Sequence, residues 1–524
     1  MRFIRACLAL FVMIAAVPAA AESWHRADTH HFIIYSDGRA SQLEDFAHEV
    51  EKFDALLRMV FGRPAKEDPA KLTIYLLGDS DDVSRLAGGN VAGFYSVNEQ
   101  HTFAVANREY GRDNTDLSGQ RVLFHEYAHH FMFHNFAIPA PAWFVEGFAE
   151  YVATAEFKRN GKWTFGMPAH HRAWSVQNGP SVPIEQLLAE NYNGMNPAQT
   201  ASFYAWAWAL THMFYSDPDE RGDQVSRYLR DLNRGMDNLE AARKHFGDLD
   251  QLEQNLRSYV RRSMAYSRSD REIPYRNDIT VSSLSDAEGD LVRLRLLRLT
   301  NNDWDELQGK FTDLANQSNM ADAWYELAEW EFTAAHRNAG EDDAHDFTAT
   351  NAAVDRALAL EVDHTLANIL KGRLYLEPFD HEDDPDTGNY ALARQHFMKA
   401  NRADPSNAHA LYMYARTFQR EGMEDEMVGP ALESAFLFRP ESRSIRAAMA
   451  NHYANEGEYD AAIGLLKIIA NNPHGGGQWA RRTITALEAA RDGGIGLPDI
   501  SVSIDDGGDE DVDGPDDAAG EAAE

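Results

Sequence analysis

Residues 125–129 read HEYAH, and residues 141–152 read PAWFVEGFAEYV. Positions i and i+4 of a helix share one face, with Cβ atoms about 5–6 Å apart. The imidazoles of His125 and His129 can therefore both reach one ion, each at about 2.0–2.1 Å. Glu126 follows the first histidine. In this motif that places its carboxylate beside the ion's open position, where it can take a proton from water. The neighbours Val122, Leu123, Phe124, Ala128, Phe131 and Phe133 are apolar, so the segment reads as a buried helix whose polar centre needs a reason. A chance H-E-x-x-H is expected in roughly one such chain in twenty, so the downstream residues decide the matter. Glu146 comes 17 positions after His129. It lies beyond a proline-containing turn, on a new helix that can fold back and supply a third ligand. Glu150 is one helical turn further and can accept a hydrogen bond from the far nitrogen of a ligand histidine, which fixes the ring.

HEYAH followed by WFVEGFAEY resembles the gluzincin metallopeptidases, the thermolysin-like enzymes and the aminopeptidases with a W-x-x-E-G-x-A signature. The nearest form is the small bacterial peptidase-MA-like group, in which such a domain precedes helical repeats. The resemblance covers roughly residues 25–265. It implies an α+β zincin-like fold, Zn2+ held by His125, His129 and Glu146, and Glu126 as general base. The gap between His129 and Glu146 is slightly shorter than in typical aminopeptidases, which bears on the connecting loop. Gluzincins also place a Tyr or His from a later helix at the oxyanion. The segment Tyr204-Ala205-Trp206-Ala207-Trp208 resembles that helix, which makes Tyr204 the candidate donor and His212 the weaker alternative. On the residues alone, Tyr204 reads equally as one more aromatic in a core helix. The strand Thr102 to Ala106 resembles the edge strand along which gluzincins lay an extended peptide; an ordinary sheet edge fits the same residues. The metzincin pattern H-E-x-x-H-x-x-G-x-x-H fails, because position 132 is Met132 and position 135 is Asn135. His130 and His134 therefore read as structural or surface histidines.

Outward from this centre, HFIIYS (31–36) and KLTIYLL (71–77) read as strands, and Ser41 to Phe61 as an amphipathic helix stopped by Gly62, Arg63 and Pro64. Residues 91–106 read as a hairpin turning near Asn98 and Glu99, followed by a polar loop, GRDNTDLSG. Helices are expected from Gln120 to His134, from Ala142, and from Gln199 to Tyr215. Strands first and helices after predict an α+β domain over 22–265. From about 280 to 490 the chain turns Ala-rich and helical. Pro405, Pro440 and Pro473 recur at intervals of 35 and 33, and Tyr390-Ala391-Leu392-Ala393 is echoed by Tyr459-Asp460-Ala461-Ala462. This resembles tetratricopeptide (TPR) repeats, whose period is about 34 residues. A non-repetitive helical bundle is the other reading of the same stretch.

The chain has 524 residues, a prior of about three domains. Asp and Glu number 83 against 49 Lys and Arg, a formal charge of −34. That excess repels nucleic-acid backbones and anionic membranes, so neither is expected as a primary partner. Residues 1–21 carry a basic start, an apolar centre and a small-residue end, and read as a cleaved signal peptide. The chain is thus expected to be exported, periplasmic or extracellular, with no integral membrane segment afterwards. The one cysteine, Cys7, lies in that segment, so a metal must be held by His and carboxylate. Residues 491–524 form an acidic tail, with twelve Asp and Glu and no Lys or Arg from Asp492 onward, expected to be solvated.

The expectation is a zinc metallopeptidase acting on a peptide or protein substrate, its repeats recruiting that substrate or a protein partner. The alternative is a non-catalytic TPR interaction protein in which the zincin-like domain is a scaffold. A zinc hydrolase of another amide or ester is a third reading.

Overall fold

The computed structural model describes residues 23–493 except 65–69, 88–91, 98–99, 109–117, 137, 159, 190–193, 217, 303, 339–344, 378–387, 424 and 472–476. Residues 1–21 with Cys7, the expected hairpin tip at Asn98 and Glu99, most of the polar loop, Pro473 and nearly all of the acidic tail lie outside the described residues.

The first half runs β1 (His25–Asp28), β2 (Phe32–Ser36), α1 (Ala40–Val60), β3 (Leu72–Leu77), α2 (Ser80–Ala87), β4 (Gly93–Val97), β5 (Thr102–Asn107), α3 (Gly119–Asn135) and α4 (Ala142–Val152). It continues through β6 (Glu156–Phe157), β7 (Trp163–Phe165), a 3-10 turn at His170–Arg172, α5 (Ala173–Asn178), α6 (Ile184–Ala189), α7 (Pro197–Tyr215), α8 (Pro218–Asn233), α9 (Asn238–Phe246), α10 (Leu249–Tyr259), β8 (Ser267–Ser269) and β9 (Thr280–Ser283). Six strands form one mixed sheet in the order β4-β5-β3-β2-β1-β9. β2, β3 and β5 are mutually parallel, while β4, β1 and β9 pair antiparallel. A second sheet joins β6, β7 and β8. The strand expected at a sheet edge, Thr102 to Ala106, is interior: β5 pairs with β3 on one side and β4 on the other. Its apolar residues are buried on both faces, which an edge does not require. The edge is β4.

Period-two alternation explains why both faces are covered. Leu72, Ile74 and Leu76 of β3 and Ala104 and Ala106 of β5 join the core beneath α1 and α3. Tyr75, Leu77, Phe103 and Val105 point the other way. They pack with Trp24, Val83 of α2, and Val292 and Leu296 of the first helix of the second half.

That second half is all helical: α11 (Asp286–Leu299), α12 (Trp304–Ser318), α13 (Ala321–Asn338), α14 (Thr348–Leu360), α15 (Thr365–Leu374), α16 (Gly388–Ala403), α17 (Ala408–Glu421), α18 (Val428–Phe438), α19 (Arg443–Asn455), α20 (Tyr459–Ala470) and α21 (Gly477–Arg491). Each helix packs on the next, so the stretch is a helical-repeat array, consistent with TPR-like repeats. The odd-numbered helices begin 35, 44, 43, 35 and 34 residues apart. The two longer units carry their extra residues between paired helices. Pro405 and Pro440 each stand just ahead of a new pair, and both shared Tyr-Ala phrases fall in the opening turn of a second helix. Among the described residues no helix is long and apolar enough to cross a membrane.

The array is not strung on a free linker. β9 hydrogen-bonds along β1, and α11 then lies over the sheet so closely that a Cβ at Gly289 would meet Trp24 Cδ1 at 2.9 Å. A chain ending at Ser283 loses Val292 and Leu296 from this core. It is expected to bind hydrophobic dyes strongly and to leave the soluble fraction, because a contiguous apolar face is then exposed.

Candidate metal centre

Helix α3 is positioned at both ends and along its length. Ser118 caps it by accepting from the Arg121 N–H at 3.2 Å. At Gly119 a Cβ would collide with the Asn107 carbonyl oxygen, so glycine lets the helix start hard against the end of β5. Phe124 stacks on Phe53 of α1 with ring centroids 3.9 Å apart. The Tyr127 hydroxyl donates to the buried Asp54 carboxylate at 2.6 Å, and Arg58 Nε donates to the same carboxylate at 2.7 Å. These contacts fix the rotation of α3 about its axis, and with it the direction of His125 and His129. The helix closes at Asn135, ahead of the prolines that turn the chain into α4.

Helix α4 brings Glu146 back to the motif, as the spacing predicts. His125 Nε2 and His129 Nε2 are 3.2 Å apart. Glu146 Oε2 is 3.4 Å from the first and 3.6 Å from the second. Bonds of about 2.0–2.1 Å arranged tetrahedrally put ligand atoms about 3.3 Å apart, so the triangle fits zinc. All three side chains are buried, and Glu126 is buried beside them. Lone-pair atoms brought together in a buried place call for a cation or a shared proton. Burial alone would lower the His125 pKa, yet Glu146, Glu150 and Glu126 outweigh it and raise it to about 9. The field at the motif is thus strongly negative.

Glu150 Oε1 lies 3.5 Å from His125 Nδ1. Two residues the sequence reading missed hold it there. His171 Nε2 lies 2.9 Å from Glu150 Oε2, and Arg172 donates to Oε1 at 2.5 Å. Burial would raise the carboxyl pKa, but Arg172 and His171 hold it well below the usual range. No periodicity marks the turn His170–Arg172, so local pattern could not have found it. Arg121, Val122, His125, Glu126, Glu150, Ala153 and His171 line a small recess beside the motif.

Helix α7 completes the surroundings. Its start is set by a capping box between Asn196 and Gln199 with Pro197 in the first turn. Tyr204 is buried with its ring centroid 6.1 Å from that of His125, and the Arg172 guanidinium carbon is 5.4 Å from its ring. His212 is turned away to other partners: Nδ1 meets the Tyr259 hydroxyl at 2.7 Å and Nε2 meets Gly166 O at 2.9 Å. Its burial lowers its pKa to about 4. His130 is buried and His134 half-buried, and they meet Tyr95 and Glu441 respectively.

Gly147 sets the distance between α4 and α7. A Cβ there would collide with the Ala207 carbonyl oxygen and with Thr211 Oγ1. On an open helix, Gly147→Ala would stabilise by about 1 kcal/mol. Here a backbone carbonyl blocks the methyl, so a net loss of about 1–3 kcal/mol is expected in denaturant titration.

No protein-family model matches the chain, and no curated protein matches it. Among solved structures, a thermophilic TPR protein of Thermus thermophilus aligns over 38% of this chain and 98% of its own, at 16% identity and a TM-score of 0.31. That likeness is too slight to define the fold, and the repeat assignment rests on the helix spacing of this chain.

Proposed function

We propose that this protein is an exported zinc-dependent metallopeptidase. His125, His129 and Glu146 would hold the metal. The observation that carries this reading is the convergence of His125 Nε2, His129 Nε2 and Glu146 Oε2 within 3.2–3.6 Å of one another, with Glu126 buried on the same helix. Zinc, when bound, supplies Lewis-acid activation of water and of a carbonyl oxygen. Glu126 takes the proton from the attacking water and returns it to the leaving amine. Tyr204, beside His125, donates to the oxygen that gains charge. Glu150 orients His125, and His171 and Arg172 orient Glu150. The repeats recruit the substrate or a protein partner on their packed helices.

The test is zinc content of the full chain together with hydrolysis of a peptide library set against simple amide and ester substrates. Stoichiometric zinc with peptide cleavage supports the proposal. A chain that binds no zinc at His125, His129 and Glu146 leaves the repeat array as the working part. Arg172→Met removes the cation that keeps Glu150 ionised. It is expected to weaken zinc binding about 10- to 100-fold in a competitive chelator titration.

A further inference from the structure

Helix α3 carries a second pair of histidines at the same spacing. His130 and His134 each stand five residues after His125 and His129, and five residues turn a helix by about 140° beyond a full turn. The first pair faces α4 and the second faces the repeat array. The ring centroids of the second pair are 4.2 Å apart, against 4.9 Å for the first.

A carboxylate from the array completes the group. Glu441 lies between α18 and α19, is buried, and brings Oε2 to 2.9 Å from His134 Nε2. One ligand atom from each of His130, His134 and Glu441 lies within 4.8 Å of the other two. Neighbouring contacts assign the ligand atoms. The Tyr95 hydroxyl on β4 is 2.9 Å from His130 Nδ1, which leaves the ligand role to Nε2. Thr102 of β5 donates to Glu441 Oε1 at 2.8 Å, and Arg439 Nε is 4.0 Å from that same oxygen. Oε2 is therefore the oxygen that faces the imidazoles. A histidine whose other nitrogen is engaged, and a carboxylate whose other oxygen is engaged, are the supports a metal ligand needs.

We propose that His130, His134 and Glu441 form a second divalent-cation site, which ties the repeat array to the helix that carries the HEYAH motif. Two imidazoles and one carboxylate select a borderline cation such as zinc or cobalt over calcium or magnesium, which take oxygen donors. Three protein donors leave one position for water. The site does not depend on whether His125, His129 and Glu146 bind metal.

The experiment loads the full chain with zinc, removes the excess and counts metal per chain. Wild type is expected to hold two ions. Glu441→Gln and His134→Gln are each expected to lose one, and Glu146→Gln is expected to keep the one at the second site. Zinc should still raise the melting temperature of Glu146→Gln, but the rise contributed by the second site should vanish in Glu441→Gln and His134→Gln. If both of those variants bind as much zinc as wild type, the proposal fails. It fails equally if Glu146→Gln binds none, because the contact is then a hydrogen-bonded latch without a metal. Should Glu441→Gln not fold, half-buried His134 and the Glu146→Gln count still decide. Loss of one ion in Glu146→Gln reports on the first site alone, so the two readings fail separately.

Discussion

Replacing Glu126 by glutamine is expected to lower peptide hydrolysis by about 10²- to 10⁴-fold while zinc content stays that of wild type. The substitution keeps size and helix propensity, so α3 and its packing on Phe53 and Asp54 are preserved. What it removes is the group that can carry a proton between water and amine. At about 1.36 kcal/mol per tenfold, the loss corresponds to about 2.7–5.4 kcal/mol of transition-state stabilisation. The measurement is kcat/KM on a cleaved peptide, with metal analysis on the same sample. Undiminished turnover with zinc in place would remove Glu126 from the mechanism.

Glu326→Ala is expected to destabilise the protein by about 3–5 kcal/mol, read as a fall in the denaturation midpoint. Glu326 on α13 is fully buried and accepts from Arg295 Nε at 2.5 Å and Arg298 Nε at 2.7 Å, both on α11. Removing it leaves the buried Arg298 guanidinium without its carboxylate, and Arg295 with only Asp322 at 3.6 Å. The consequence reaches beyond the array, because α11 also covers the sheet through Val292 and Leu296. The same triad sets an acid limit. Burial would raise the Glu326 pKa, but Arg298 and Arg295 hold it below its ordinary 4.5. A carboxyl whose pKa is lower folded than unfolded stabilises fully above the unfolded value, and that stabilisation is lost as pH falls through the folded one. Stability attributable to the triad should therefore be intact at neutral pH and decline below about pH 4.5. Glu326→Ala should show a shallower acid dependence than wild type.

Much of the centre was legible because it is local. His125, Glu126 and His129 lie within five residues, and the fold-back of Glu146 needs only a short turn between two helices whose apolar faces are plain in the sequence. The helix limits follow from the same periodicity, and the repeat period was visible in the prolines that precede new pairs. What escaped is long-range. Glu150 is held by residues 21 and 22 positions away in a turn with no pattern. His134 meets Glu441 across 307 residues. The run Thr102 to Ala106 read as an edge because period-two hydrophobicity marks a strand without telling which neighbours flank it. That β9 returns to β1 is likewise written in no local composition, since its residues, TVSS, are nearly all exposed.

The order of pairing in the sheet has a consequence for synthesis. A nascent chain emerges from its N-terminus, and β1 to β5 are complete by residue 107. Their outer neighbour β9 and their cover α11 arrive only by residue 299. Until then Tyr75, Leu77, Phe103 and Val105 lack the Val292 and Leu296 side chains that shield them. For nearly two hundred residues of growth that face has only early residues such as Trp24 and Val83 to cover it, and its remaining apolar surface is open to wrong partners.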